Sequence, residues 1–292
     1  MRPAEFEYFA PRTVDEALGL LERYGEGARV LAGGLSLVPM MKLRLTEPQC
    51  IIDISKIPGL SYVIQNNGSG LKVGSLTTYH ALQTSAAVKS SCPILSVAAS
   101  NIGDTQIRNR GTIGGNICHA DPACDLTAVT LAVGAELKAI GPGGARTIKS
   151  DDFFVDLFTS ALKHGELLTE IAIPSYLPGT GDAYHKLTQR SGDFAIVSVA
   201  VVMTLGDGDV CQSASVVLGS VGPTPIRSKK AEKALKGKSI TDKLIDEASD
   251  LASREIDPSS DVHSSAEYKK EMSKVITQKA LKEAFLKARG GK

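Results

Sequence analysis

Tryptophan is missing from this chain, and aromatic residues of all kinds make up only 5% of its 292 residues. That scarcity disfavours a nucleic-acid surface built on stacked bases. Neither sign of charge is in excess. The 33 Lys and Arg against 32 Asp and Glu leave a net charge of +1, so there is no basis for broad attraction to nucleic acid or an anionic membrane. No apolar run reaches the ~18 residues of a membrane-spanning helix. The opening MRPAEFEYFAPRT carries no apolar segment of a secretory signal. Five cysteines, an odd number without dense spacing, do not make a disulfide framework and fit reduced thiols in the cytoplasm. Also missing are G-x-S-x-G, H-E-x-x-H, C-x-x-C and G-x-x-x-x-G-K-[ST], so hydrolysis by this chain alone has no support.

What is present reads as alternating elements. Thr13 is placed to cap a helix from Val14, with Gly25 at its C-terminal end. ARVLAGG (28–34) reads as a strand entering a glycine turn, SLVPMMKLRL (36–45) as a helix and QCIIDIS (49–55) as a buried strand, so residues 1–55 form a β-α-β-α-β unit. Residues 60–75 predict a hairpin around a Gly/Asn turn, and Thr77 a cap for a helix running through Gln83. A second helix is expected over 91–103 and a third over about 123–133, with a hairpin at 135–148 and a strand at 166–174. These place 56–176 in a second, α+β domain. After a linker at 174–182, long β-rich runs joined at GDGD (206–209) precede three helical segments (228–236, 241–254 and 265–288). Residues 177–292 therefore read as a third domain, an antiparallel sheet with helices.

Two glycine-rich segments carry the chemistry. Ala32-Gly33-Gly34-Leu35-Ser36 lies between a strand and a helix, where backbone N–H groups and the helix dipole favour a phosphate. Gly111-Thr112-Ile113-Gly114-Gly115-Asn116 reads as a second such turn, its glycines allowing close approach of a ligand. Neither is G-x-G-x-x-G, so a Rossmann site is the wrong template, although two anion-friendly turns suit a dinucleotide. Just beyond, Cys118, His119, Asp121, Cys124 and Asp125 crowd together. Their C-x₅-C spacing, with no second pair elsewhere, argues against a metal site. His119 has no evident base or nucleophile partner.

AGGLSLVPMMKLRL followed by RNRGTIGGNICHADPACDLTAVTLAVGAEL resembles the FAD-binding medium subunit of the molybdenum hydroxylases, of carbon monoxide dehydrogenase and xanthine dehydrogenase type. The resemblance extends through AYHKLTQRSGDFA (183–195) and the helical tail. It implies an α+β protein: a two-domain FAD-binding fold of the vanillyl-alcohol-oxidase/PCMH type plus a C-terminal antiparallel sheet-and-helices domain. It implies that Ala32, Gly33, Gly34, Leu35 and Ser36 wrap the FAD diphosphate from one side and Thr112, Ile113, Gly114, Gly115 and Asn116 from the other. Asp125 matches a carboxylate at the ribityl or diphosphate region, and Leu167 or Leu168 an apolar ring contact. Lys186 matches a lysine at the flavin edge, and Phe194 an aromatic near the isoalloxazine. Leu35 departs from relatives that carry a polar residue there.

The same resemblance implies a large molybdopterin-binding subunit and a small [2Fe–2S] subunit, assembled as a dimer of heterotrimers in the cytoplasm. No nucleic-acid partner or integral membrane segment is expected. Electrons would pass from molybdenum through the clusters to FAD and then to an outside acceptor. Two other readings stand beside this one: a free-standing FAD oxidase or dehydrogenase, and a scaffold subunit that has lost its flavin.

Overall fold

A computed structural model describes residues 2–290 of the chain save 67 and 69. At its N-terminal end β1 (Glu7–Phe9), α1 (Val14–Tyr24), β2 (Ala28–Leu31), α2 (Leu37–Lys42) and β3 (Cys50–Asp53) alternate. Thr13 caps α1 as the sequence predicts, its hydroxyl accepting from the Glu16 amide at 3.1 Å. The strands form a parallel sheet in the order β1-β3-β2, on which α1 buries Ala17 and Leu21. Parallel neighbours need crossovers, and the one from β2 to β3 begins with residues 32–36.

The middle of the chain opens with a hairpin, β4 (Val63–Asn66) and β5 (Gly70–Gly74). Within its expected Gly/Asn turn, residues 67 and 69 lie outside the described residues. Six helices follow: α3 (Tyr79–Thr84), α4 (Ala86–Ser91), α5 (Pro93–Ser100), α6 (Thr105–Arg110), α7 (Ile113–His119) and α8 (Asp125–Ala132). Then come β6 (Glu136–Gly141), β7 (Gly144–Lys149), the short β8 (Phe154–Asp156) and β9 (Thr159–Ser160), and β10 (Leu167–Ile173). An antiparallel sheet in the order β4-β5-β10-β6-β7 packs Val73, Leu137 and Ile171 against Leu82, Ile94, Ile117 and Val129 of the helices.

Three local readings are corrected here. Thr78, not Thr77, caps α3, because the Thr77 hydroxyl is engaged with the backbone of Tyr62. Residues 111–116 are not a turn. Thr112 caps α7 and residues 113–116 are helical, the low helix propensity of paired glycines being overridden by burial of Ile113 and Ile117. Residues 180–182, read as linker, already belong to a strand.

That strand opens an antiparallel meander, β11 (Thr180–Leu187), β12 (Val197–Leu205), β13 (Cys211–Gly219) and β14 (Ile226–Arg227). The sequence then turns helical as expected, in α9 (Lys229–Leu235), α10 (Asp242–Arg254) and α11 (Ala266–Gly290). The near-continuous apolar run of β12 follows from cover on both faces. Val199 and Val201 meet the core shared with the three helices, and Ala200 meets the middle core together with Tyr184 and Val217. All five cysteines are free thiols.

Phe153 is fully buried in the middle core and meets Phe154 edge-on, with ring centroids 5.4 Å apart. Phe153→Ala is expected to cost about 3–5 kcal/mol, read as a fall in the denaturant midpoint. A change under about 1 kcal/mol would contradict this packing.

Candidate functional site

A cavity of about 450 Å³ lies where the first glycine segment meets α7. Its lining includes Ala32, Gly33, Gly34, Leu35 and Ser36, then Thr112, Gly114, Gly115 and Asn116, then Leu167 and Leu168 from β10. The structure thus brings both sequence motifs and both candidate leucines to one place. Leu35, 40% exposed, stands among them with an apolar side chain.

The two segments offer different groups. In the first, the amides of Gly33, Gly34, Leu35 and Ser36 donate to no acceptor among the described residues, and the Ser36 side chain makes no capping bond. In α7 the corresponding donors are already used. The amides of Ile113 and Gly114 donate to Thr77 O and Ser75 O at 3.0 and 2.8 Å. Those of Gly115 and Asn116 donate to Thr112 Oγ1 and Thr112 O at 3.2 and 3.0 Å. The first segment can therefore receive an anion through its backbone, whereas α7 presents side chains.

Those side chains are unsatisfied. Asn116, 8% exposed, donates Nδ2 to Tyr79 Oη at 3.2 Å, while its Oδ1 has no partner. Ser75, 3% exposed, lines the same cavity with a hydroxyl that has none either. Buried polar atoms without partners cost free energy, and their presence around a cavity points to a ligand that supplies the missing bonds. Burial raises the pKa of the Tyr79 phenol, whose oxygen accepts the Asn116 bond.

The glycines serve protein contact as well as ligand access. A Cβ on Gly33 would overlap the Arg110 carbonyl oxygen, and one on Gly114 would sit 2.6 Å from Ser75 Cβ and O. Both positions seat one chain segment directly on another.

Four sequence-predicted residues do not line the cavity. Ile113 packs in the middle core. Asp125, 4% exposed, lies behind Cys124, where its Oδ1 accepts from Tyr184 Oη at 2.6 Å and from Lys186 Nζ at 2.9 Å. Burial pushes the Asp125 carboxyl up, while Lys186 and Tyr184 pull it down. Asp125 does not cap α8: Cys124 holds that position, without a side-chain bond. Lys186 also donates to Asp193 O at 3.0 Å. Phe194, in that same β11–β12 connection, is 65% exposed.

Residues that sequence reasoning missed also line it, among them Arg29, Ser75, Tyr79, Phe158, Leu162 and Glu166, with His119 no longer isolated. His119 meets Phe158 with tilted rings whose centroids are 5.1 Å apart, and burial lowers its pKa. Thr112, Gly115, Asn116 and His119 follow i, i+3, i+4, i+7 spacing, a signal visible only once the segment is read as a helix. Cys118 and Cys124 line the cavity too, and burial pushes the Cys118 thiol up to about 12.

Glu166 is held by a bidentate pair with Arg146, at 2.7 and 2.8 Å. Arg146 also donates to Ala161 O, fixing the segment that places Leu162 in the wall.

With this geometry the comparisons are specific. Residues 4–176 match the family described as the FAD binding domain in molybdopterin dehydrogenase. Residues 182–284 match the CO dehydrogenase flavoprotein C-terminal domain. The carbon monoxide dehydrogenase medium chain of Hydrogenophaga pseudoflava is 40% identical over 98% of this chain and 99% of that protein. The glyceraldehyde dehydrogenase medium chain of Sulfolobus acidocaldarius is 40% identical over 97% and 99%. A solved structure of the Hydrogenophaga enzyme lacking the Mo-pyranopterin moiety of its molybdenum cofactor superposes with a TM-score of 0.96 at 40% identity, covering 98% of this chain and 99% of that one. Quinoline 2-oxidoreductase from Pseudomonas putida 86 gives 0.92 at 30% identity, covering 100% and 99%.

The chain belongs to the FAD-binding subunits of the molybdenum hydroxylases. Its architecture is accordingly the two-part FAD-binding fold followed by a C-terminal sheet-and-helix domain. The cavity suits FAD on its own chemistry: free backbone donors for a diphosphate, unpartnered Ser75 and Asn116 for hydroxyl groups, and Leu167 and Leu168 for an apolar ring.

Two outcomes follow. Gly114→Val is expected to lower the unfolding midpoint of flavin-free protein, because its Cβ would overlap Ser75; unchanged flavin-free stability would contradict that close approach. The Glu166 carboxyl is held below the usual carboxylate range, chiefly by its hydrogen bonds with Arg146. Its stabilising contribution is therefore complete above about pH 4.5 and is lost as pH falls through the lowered value. Arg146→Gln should flatten this acid-side slope in a pH series of thermal midpoints. An identical slope in both proteins would count against it.

Proposed function

We propose that this chain carries electrons from [2Fe–2S] clusters on a small partner subunit to its own FAD and on to an external acceptor. Substrate oxidation takes place on a large molybdopterin-binding subunit. The observation that carries this reading is one cavity lined both by residues 33–36, whose amides have no acceptor among the described residues, and by the unpartnered Ser75 hydroxyl and Asn116 Oδ1. Support for the assembly comes from relatives whose names describe a medium chain or a subunit over nearly the whole length of this chain. We take the assembly to be a dimer of heterotrimers in the cytoplasm; among the described residues no helix is long and apolar enough to cross a membrane.

Bound FAD supplies the capacity to take up electrons singly and release them in pairs. The protein's part is to hold and orient it. The amides of Gly33 to Ser36 receive the diphosphate, and the Ala32 carbon lies beside them. Asn116 Oδ1 and the Ser75 hydroxyl take hydroxyl groups of the ribityl chain, with the Tyr79 phenol fixing the Asn116 amide. Leu167 and Leu168 give the ring an apolar wall. Asp125 and Lys186 pair with each other outside the cavity lining. In this conformation they tie the start of α8 to β11 rather than touch the cavity. Residues 1–55 and 56–176 are the two domains that clasp the cofactor, and 177–292 the domain that backs them.

The substrate is set elsewhere. Relatives of this one chain are named for carbon monoxide, glyceraldehyde and nicotine, a chemical range that a shared flavin cavity does not discriminate.

The chain, purified with the partners that remain bound to it, is expected to release about one FAD per chain on denaturation, with iron and molybdenum in the same fraction. A complex containing iron and molybdenum but no flavin would overturn the cofactor role. Flavin without either metal would favour a free-standing dehydrogenase.

A further inference from the structure

Among the described residues, the arginine on the cavity wall has no anionic partner. Arg29 lies in β2, next to the buried Ala28, and lines the cavity. Its Nη1 donates to Glu26 O and to Ala28 O, each at 2.8 Å. Those two bonds use both hydrogens of that nitrogen. They also fix the plane of the guanidinium, although Arg29 as a whole is an exposed residue at the cavity wall. The Nε and Nη2 edge, the two-donor fork that arginine presents to phosphates, donates to no acceptor among the described residues, and no carboxylate pairs with it there.

The position of Arg29 limits what the fork can meet. It stands on the strand that ends in the glycine turn, so the free amides of residues 33–36 lie farther along the same strand–turn unit. Val30 and Ile54, both apolar, line the cavity from the same parallel sheet and its margin. Ser75, Asn116 and Leu168, the groups suited to a polyol and an apolar ring, come from the other part of the molecule. With a diphosphate on the turn, the flavin half falls to the second group and the adenylate half to the first.

We propose that Arg29 holds the adenylate half of FAD and thereby selects the dinucleotide over a mononucleotide flavin. This rests on the FAD reading above. A fixed planar cation with two free donors serves the adenylate phosphate bidentately and can also stack on the purine. FMN, which ends at its own phosphate, leaves that part of the cavity empty.

The test uses flavin-stripped protein in the subunit complex in which it purifies. FAD and FMN binding are followed by quenching of flavin fluorescence, with ADP and adenosine as competitors. Wild type is expected to prefer FAD. Arg29→Ala should weaken FAD about tenfold or more, the loss of a charge-assisted contact, and leave FMN unchanged. Arg29→Lys keeps the charge but loses the fork, and should fall between the two; it also serves if the alanine variant fails to fold. Loss of ADP competition with adenosine competition retained assigns the contact to the phosphate, and loss of both to the purine.

Equal FAD affinity in wild type and both variants would overturn the proposal, as would FAD and FMN weakening together. Wild-type complex that takes up neither flavin would instead overturn the FAD reading on which the proposal stands.

Discussion

The cavity depends on one backbone-to-backbone approach. Gly33 lies so close to Arg110 O and Gly111 that no side chain fits between them, and this seats the N-terminal parallel sheet against the segment that starts α7. On the other side of that segment, Gly114 donates to Ser75 O and Ile113 to Thr77 O, which locks α7 to the end of β5. Three stretches distant in sequence are thereby held at fixed spacing, and the space left between them is the cavity. Burial of Ile113 and Ile117 in the middle core stabilises α7 in this place.

That arrangement divides the cavity by polarity. The amides of residues 113–116 are consumed in docking and capping α7, whereas among the described residues those of the turn at 33–36 have no acceptor. A diphosphate is served where donors are free. Ser75 and Asn116 present a hydroxyl and an acceptor oxygen instead, which suit uncharged hydroxyl groups better than a second anion. Asp125 and Lys186, charged but mutually paired, contribute little net field at the wall. The cavity is thus polar in a graded way, from Arg29 through the turn to the leucines of β10.

Much of this was readable in the residues. The Thr13 cap, the alternation of residues 1–55 and the long apolar run of β12 carry local signals strong enough to place them. So do the two glycine motifs, which the structure brings to the wall of one cavity. The α7 helix was hidden because Gly114 and Gly115 imitate a turn, and only its docking against Ser75 and the core makes it helical. Arg29, Ser75 and Tyr79 carry no motif. They join the site through tertiary contact, and local sequence holds no trace of that. Leu167 and Leu168 could not be separated from the sequence, and the structure puts both on the wall.

The most direct measurement is a crystal structure of the flavin-loaded complex, in which the contacts of the diphosphate are read atom by atom. The account predicts diphosphate oxygens within hydrogen-bond distance of the amides of Gly33 to Ser36, with α7 keeping its bonds to Ser75 and Thr77. A diphosphate bound away from that turn, or one that displaces the α7 amides from Ser75 and Thr77, would contradict it.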